Sequence, residues 1–502
     1  MILLARARAH PEAEALLASE GSYAYGDLLT SSAGVAAALL AGRRDLDEAR
    51  VAVLVPAGFS WVATVVGVWR AGGMAVPLPI AASETELARA LEDSLPDAVV
   101  ADPELIDRIA PAAAALGISV RATDAVLPPA RAYDPSLEGP LPTIPPERGA
   151  LMLYTSGTTG RPKGVVHTHA SLAAQVAMLH AAWRWSARDH ALLLLPLHHV
   201  HGIVNVLLCA LAAGARCTIL PRFDAVETWK RLAGDGVTVL MAVPTIYVKL
   251  LAEYERTGAT ARERWRVGAA ALRLTVSGSA ALPVGVHERW AEVTGQRLLE
   301  RYGMTEIGMA LSNPLVGARV AGHVGTPLPG VAARVIADDG RAAAAGTPGE
   351  LQVRGPALFR EYWRRPEETA AAFTADGWFR TGDEVMETPR GFRILGRQSV
   401  DILKSGGEKV SALEIEETLR DHPDVADCAV VGVPDPEWGE RVCAAVVAAS
   451  GRSPDPATLR VWAAKRLSPW KIPREVRLVD ALPTNALGKV VKSEVQRLFM
   501  KS

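Results

Sequence analysis

Short apolar runs of strand length recur along this 502-residue chain, and longer segments with helical spacing of their apolar positions separate them. Val51-Ala52-Val53-Leu54-Val55 and Asp97-Ala98-Val99-Val100-Ala101 read as buried strands, and residues 58–72 and 83–94 between them read as helices. The same alternation continues through 171–184, 191–196, 203–213, 216–220, 225–234 and 237–243. Parallel strands need a crossover between them, usually a helix, so this rhythm predicts an α/β architecture with largely parallel or mixed sheets flanked by helices. A chain this long exceeds what one hydrophobic core supports, and two or more domains are expected.

The texture changes from about residue 331, where short strands alternate with tight turns at Asp339-Gly340, Asp376-Gly377 and Arg390-Gly391. This predicts a β-rich subdomain over about 331–396, completing a large domain over 1–396. Residues 397–502 carry two strand-like runs (426–433 and 442–448), a helix (456–467) and a further strand (475–479). That is enough chain for a separate small α+β domain.

Basic and acidic residues number 54 and 55, for a net charge of −1. Such balance leaves no electrostatic footprint for nucleic acid or an anionic membrane. Cys209, Cys217, Cys428 and Cys443 show no C-x-x-C spacing, so reduced thiols are expected. The apolar start Met1-Ile2-Leu3-Leu4 is too short for a secretory signal, and the apolar stretch 191–220 is interrupted by His198, His199, His201, Asn205 and Arg216. A core segment in a cytoplasmic protein is the expectation.

The apolar run Gly149 to Leu153 opens into Tyr154-Thr155-Ser156-Gly157-Thr158-Thr159-Gly160-Arg161-Pro162-Lys163-Gly164. A strand leading into a Gly/Thr loop can offer backbone N–H and hydroxyl donors to a polyphosphate without Cβ crowding. The spacing is not that of a Walker A loop. Taken alone, the stretch reads equally well as a polar surface hairpin. Five more stretches accompany it: Gly278-Ser279-Ala280-Ala281-Leu282; Glu300-Arg301-Tyr302-Gly303-Met304-Thr305-Glu306; the segment from Tyr362 to Asp383; Gly396-Arg397-Gln398-Ser399-Val400-Asp401 with Lys404-Ser405-Gly406-Gly407; and Pro483-Thr484-Asn485-Ala486-Leu487-Gly488-Lys489.

In this order and spacing the motifs resemble the adenylate-forming superfamily of acyl-CoA synthetases, luciferases and peptide-synthetase adenylation domains, from near the N-terminus to the last helix. The resemblance implies an acid–thiol ligase that uses ATP, CoA and Mg2+. Thr155, Ser156, Gly157, Thr158, Thr159, Gly160 and Lys163 would cradle the β- and γ-phosphates. Gly278, Ser279, Ala280, Glu300, Tyr302 and Gly303 would border the adenine and its neighbours, Asp383 would accept the ribose hydroxyls, and Arg397 would lie near the ribose and phosphate. Thr305 would touch the α-phosphate, Glu306 would hold Mg2+, and Lys489 would bridge carboxylate and α-phosphate. Outside this frame Asp383 is an Asx turn, Glu306 a surface acid and Lys489 a solvated lysine.

The frame also implies a small domain that turns after adenylation, withdrawing Lys489 and bringing in the segment with Lys404, Gly406 and Gly407 to form the CoA channel. The hinge is expected at 396–399, with Ser399 chosen because the segment from Arg397 to Gly407 is one residue longer than in most relatives. Reversible acetylation of Lys489 by a lysine acetyltransferase is a further implication.

The run from Glu300 to Ser312 and that from Arg397 to Gly407 are most similar to malonyl-CoA synthetases, which make malonyl- or methylmalonyl-CoA from the free diacid. Arg301 would then face the second carboxylate, its planar fork suiting that group. Ser277, His199 and Met309 would line the acyl pocket, with Met309 near the α-carbon; His201 is left open. Two alternatives stand beside this one: a ligase for a medium-chain or aryl monocarboxylic acid, with Arg301 bridged to a structural acid such as Glu300, or an adenylation enzyme loading a carrier protein.

Overall fold

The computed structural model describes residues 2–128, 140–155, 162–398, 400–405, 408–435, 438–484 and 489–500. Its fold is α/β, with two mixed sheets and their helices in the large N-terminal part and an α+β unit at the C-terminal end. Arg50–Leu54 is an interior strand of a seven-stranded sheet, parallel to Met74–Pro77 on one side and Ala98–Ala101 on the other. Residue alternation divides this strand between two cores. Val51 and Val53 face the interior shared with the second large sheet, while Ala52 and Leu54 face the helices Glu84–Ser94 and Ile106–Ala115. Each buried Val or Leu contributes about 1.5–3 kcal/mol. A strand apolar on both faces is therefore stable only with both faces covered, and the helices supply the cover.

The helix Glu84–Ser94 starts where sequence reading expects it, because Ser83 and Glu86 form a reciprocal capping box. The helices Tyr25–Leu40 and Phe59–Arg70 pack between the two sheets at close range. A Cβ on Gly67 would lie 2.5 Å from Val35, so only glycine permits that approach.

The second sheet runs Thr326–Pro327, Gly308–Ser312, Leu299–Met304, Leu274–Ser277, Val239–Ala242, His190–Leu193, Arg216–Ile219, Glu14–Ala18, Gly21–Ala24, parallel from Leu299–Met304 through Glu14–Ala18 and antiparallel at its margins. Between Ala332 and Arg397 lies a four-stranded antiparallel sheet. Beyond it, Val425–Asp435 and Gly439–Ala448 pair over their length, Glu475–Leu478 joins in parallel, and Ala412–Arg420 and Lys492–Met500 pack on the strands. No helix among the described residues is long and apolar enough to cross a membrane.

Candidate active site

Residues after the C-terminal ends of parallel strands share one side of a sheet, where α/β folds place their ligand crevices. Three strands of the second sheet deliver candidates there: His190–Leu193 runs on to His199 and His201, Leu274–Ser277 ends at Ser277-Gly278-Ser279, and Leu299–Met304 carries Glu300 to Gly303. Across from them, Gly149–Thr155 and Lys163–Thr168 form an antiparallel hairpin at the margin of the seven-stranded sheet. Of the Gly/Thr stretch, Tyr154, Thr155, Lys163 and Gly164 lie on these two strands; Ser156, Gly157, Thr158, Thr159, Gly160 and Arg161 lie outside the described residues.

One polar group forms around Tyr302. Its hydroxyl donates to Asp383 Oδ2 at 2.5 Å, while Arg397 Nε donates to Asp383 Oδ1 at 3.1 Å. Burial raises the pKa of Asp383, and the Arg397 charge and the Tyr302 hydrogen bond work against that. Burial opposes the charge on Arg397, but Asp383, Tyr302 and Glu306 outweigh it and hold its pKa above the ordinary value. Glu306 is buried, which raises its pKa, and Tyr362 donates a hydrogen bond to it at 2.9 Å. The Tyr362 ring also lies under the Lys163 ammonium, 5.0 Å from its centroid. The carbonyl of Thr305 accepts a 2.7 Å hydrogen bond from buried His167, which sits on the Lys163–Thr168 strand. One hairpin therefore positions both Lys163 and the Thr305-Glu306 turn.

A second group forms around Arg301, which is only 4 % exposed. A Cβ on Gly278 would lie 2.7 Å from the guanidinium carbon, so the glycine makes room for it. Arg301 Nη2 donates to Ser279 Oγ at 3.4 Å, and Ser279 Oγ lies 3.3 Å from His201 Nδ1. Ser279 itself takes a φ of 71°, a conformation a serine adopts only at a cost of about 1–3 kcal/mol. Ser277 Oγ, Arg301 Nε, His199 Nε2, His201 Nε2 and Asn205 Oδ1 are all buried without a protein hydrogen-bond partner. Native interiors leave few such atoms, and each calls for a partner from outside the chain, a water or a polar ligand. Burial lowers the pKa of Arg301 to about 9, that of His199 to about 3, and that of His201 well below the ordinary range. At neutral pH the group thus holds one guanidinium charge and two neutral imidazoles.

Lys489 joins the two groups. Its side chain keeps an exposed portion, yet burial followed by the charges of Arg301 and Arg397 lowers its pKa, and Asp383 raises it. His199 and His201 also feel its charge. The lysine from the C-terminal unit therefore lies within electrostatic reach of both the Asp383–Arg397 pair and Arg301. Lys404 does not. It is exposed on the strand Ile402–Ser405, with its backbone N–H donating to Glu440 at 2.6 Å. Gly406, Gly407 and Ser399 lie outside the described residues.

Glu300 and Arg301 point to opposite faces of their strand, as neighbours on a strand must. Among the described residues no carboxylate forms an ion pair with Arg301, which removes the alternative of an Arg301–Glu300 bridge. Glu300 instead accepts from the Gly322 N–H at 3.0 Å, and burial raises its pKa to about 8. Between its unfolded value near 4.5 and about 8, the folded protein holds a proton that the unfolded chain has lost. Stability contributed by this site must fall as pH rises through that window. Glu300→Gln should flatten the decline in melting temperature between pH 5 and 8.

Met309 pairs across from Gly303, and its N–H donates to Gln175 Oε1 at 2.6 Å. A Cβ on Gly308 would meet the same oxygen at 1.9 Å. Nothing in the sequence marks Gln175, a polar residue inside an otherwise ordinary helix. Tyr362 opened one of the motif stretches but had no role until the fold set it between Glu306 and Lys163. His201 and Asn205 lie on the wide π-helical turn His201–Leu208, a backbone form often found at functional sites. Gly303 lies within the strand Leu299–Met304, Ala280 follows the end of Leu274–Ser277, and Thr155 closes the Gly149–Thr155 strand opposite Lys163.

The chain belongs to the AMP-binding enzyme family: the model of that family matches residues 3–363, and that of its C-terminal domain matches residues 414–489. Within the family it is similar to the mitochondrial malonate–CoA ligase of Mus musculus, with 45 % identity over 99 % of this chain and 90 % of the relative. Among solved structures it is similar to ATP-bound MatB from Rhodopseudomonas palustris, at 34 % identity and TM-score 0.88 over 100 % of this chain and 99 % of the other. A malonyl-CoA ligase product complex with methylmalonyl-CoA and AMP is 41 % identical, at TM-score 0.67 over 94 % and 96 % of the two chains.

Proposed function

We propose that the protein is an AMP-forming acid–CoA ligase that makes malonyl-CoA, and methylmalonyl-CoA alongside it, from the free diacid, ATP and CoA. The observation that carries the diacid assignment is Arg301: a buried guanidinium with no carboxylate partner among the described residues, set amid other buried polar atoms that lack partners. A second substrate carboxylate satisfies that geometry, whereas a hydrocarbon or aryl tail would leave it unsatisfied.

In the first half-reaction one malonate carboxylate oxygen bonds to the α-phosphorus of ATP, the bond from that phosphorus to the bridging oxygen breaks, and pyrophosphate leaves. Both reactants are anionic, so cations must stand where charge accumulates. Lys489 and Arg397 supply them near the α-phosphate, Lys163 near the β- and γ-phosphates. Asp383 receives the ribose hydroxyls, and Tyr302 borders the adenine. Among the described residues no cluster of three metal-ligating side chains exists. That suits Mg2+, which is characteristically held by one or two carboxylates together with substrate phosphates. Glu306 would hold it, oriented by Tyr362, and the ion would neutralise phosphate charge. In the second half-reaction the CoA sulfur bonds to the acyl carbon, the thiol proton is lost, the acyl–phosphate C–O bond breaks and AMP departs.

Lys489 at the site and Lys404 away from it support an arrangement for adenylation, with the domain boundary near residue 396 and rotation about 396–399 bringing Lys404 in afterwards. The closer overall match to an ATP-bound relative than to a product complex of higher identity supports the same alternation. Acetylation of Lys489 would remove the charge that adenylation requires. The four cysteines are all unpaired, buried thiols, which suits a reducing compartment such as the cytoplasm.

The test is a thioester-product screen by mass across malonate, methylmalonate, propionate, octanoate and benzoate. Malonyl-CoA should dominate, with methylmalonyl-CoA following within about 10- to 200-fold, since one methyl changes binding by only about 1–3 kcal/mol. Octanoyl- or benzoyl-CoA as the main product would overturn the assignment.

A further inference from the structure

Lys163 is the phosphate-facing cation of the proposed reaction, yet its ammonium is already engaged in this structure. Nζ lies 2.5 Å from Glu368 Oε2, and the other oxygen of that carboxylate is 3.0 Å from Arg365 Nη1. The backbone arranges this meeting. Glu361–Tyr362 pairs with the Lys163–Thr168 strand, Trp363 N–H donates to the Gly164 carbonyl at 2.7 Å, and Glu368 follows on the helix Pro366–Ala371. Lys163 and Arg365 together lower the Glu368 pKa, so the carboxylate is ionised at neutral pH.

A triphosphate cannot share this ammonium with a carboxylate at hydrogen-bond distance without like-charge repulsion. The carboxylate has somewhere else to go: Arg365 already holds one of its oxygens, and Arg365 Nε is buried with no partner. On the reading that Lys163 meets the β- and γ-phosphates, we propose that Glu368 is a displaceable counter-ion. It holds Lys163 in the empty site, yields it to ATP, and retakes it as pyrophosphate leaves. Glu368 is thus a positioning residue acting through Lys163, and it competes with both phosphate ligands for one cation.

The experiment compares the full-length enzyme with Glu368→Gln, measuring the KM for ATP and the inhibition constant of pyrophosphate at saturating malonate and CoA. Both constants should fall about two- to five-fold, the scale of a partly exposed ion pair. The KM for malonate and the melting temperature should hold, and the difference between the enzymes should shrink at high salt as the pair is screened. A rise in the KM for ATP would mean that Glu368 holds Lys163 in its productive position, and would overturn the proposal. Unchanged constants would overturn it too. Lys163→Ala separates this proposal from the reading beneath it. If that variant leaves ATP and pyrophosphate binding intact, the phosphate role of Lys163 fails. If it weakens both while Glu368→Gln alters neither, the counter-ion alone fails.

Discussion

Arg301→Ala should lower kcat/KM for malonate by roughly 10²- to 10³-fold while activity on propionate or acetate falls far less, or rises. The expected loss is about 3–4 kcal/mol for one buried, charge-assisted pair, each tenfold being about 1.4 kcal/mol. The second carboxylate of malonate must shed water to enter the pocket, and an unpaired buried charge costs several kcal/mol. The guanidinium offsets that loss, because it is itself buried and, among the described residues, bonded only to Ser279 through a long contact. Its pKa near 9 leaves it charged at neutral pH. Arg301→Lys should recover little, since an ammonium cannot make two parallel contacts from that position. Melting of the ligand-free protein gives an independent reading. Removing a buried cation that lacks a carboxylate partner among the described residues should leave the melting temperature level or raise it. Parallel loss on malonate and propionate, accompanied by a lower melting temperature, would make Arg301 a structural residue and remove the diacid assignment.

Lys489→Ala should separate the two half-reactions. Adenylate formation, followed by ATP–pyrophosphate exchange, should fall by several powers of ten, each equivalent to about 1.4 kcal/mol of lost transition-state stabilisation. Conversion of supplied malonyl-adenylate to malonyl-CoA should persist. The motive is electrostatic: the charge of Lys489, from the C-terminal unit, interacts with those of Arg301, Arg397 and Asp383. The second step proceeds, on the alternation reading, with that lysine withdrawn. Equal damage to both steps would mean that Lys489 supports the fold or the thiol as well as the adenylation pose.

Much of the architecture was legible from residue order. The helix at 83–94 follows from Ser83 and Glu86, whose capping box closes locally. Strands Arg50–Leu54 and Ala98–Ala101 follow, within a residue, from the apolar runs at 51–55 and 97–101, which can be stable only inside a sheet. Such features depend on residues within a turn or a strand of one another, so periodicity and capping chemistry are enough to read them. The motif residues Tyr302, Asp383, Arg397 and Lys489 stood out for another reason: their order and spacing carry the pattern of the family to which the chain belongs.

Tertiary structure decided what no local rule could. Glu300 and Arg301 are adjacent in sequence and could be read as a bridged pair, or as two ligands of one site. Strand geometry sends them to opposite faces, one to the Gly322 loop and one beneath Gly278. Tyr362 and Glu306 are 56 residues apart, and His167 and Thr305 are 138 apart. Neither pair leaves a periodic trace, because each exists only where a crossover has returned the chain. Gln175 gained its place behind Met309 in the same way, through a glycine at 308 that leaves room for its oxygen. Residue order thus determined which elements form and which chemistry is present. Which side of the strand each of two neighbouring charges occupies, and which carboxylate meets the Lys163 ammonium, was settled by long-range packing, since those outcomes depend on distances that exist only after the sheets have assembled.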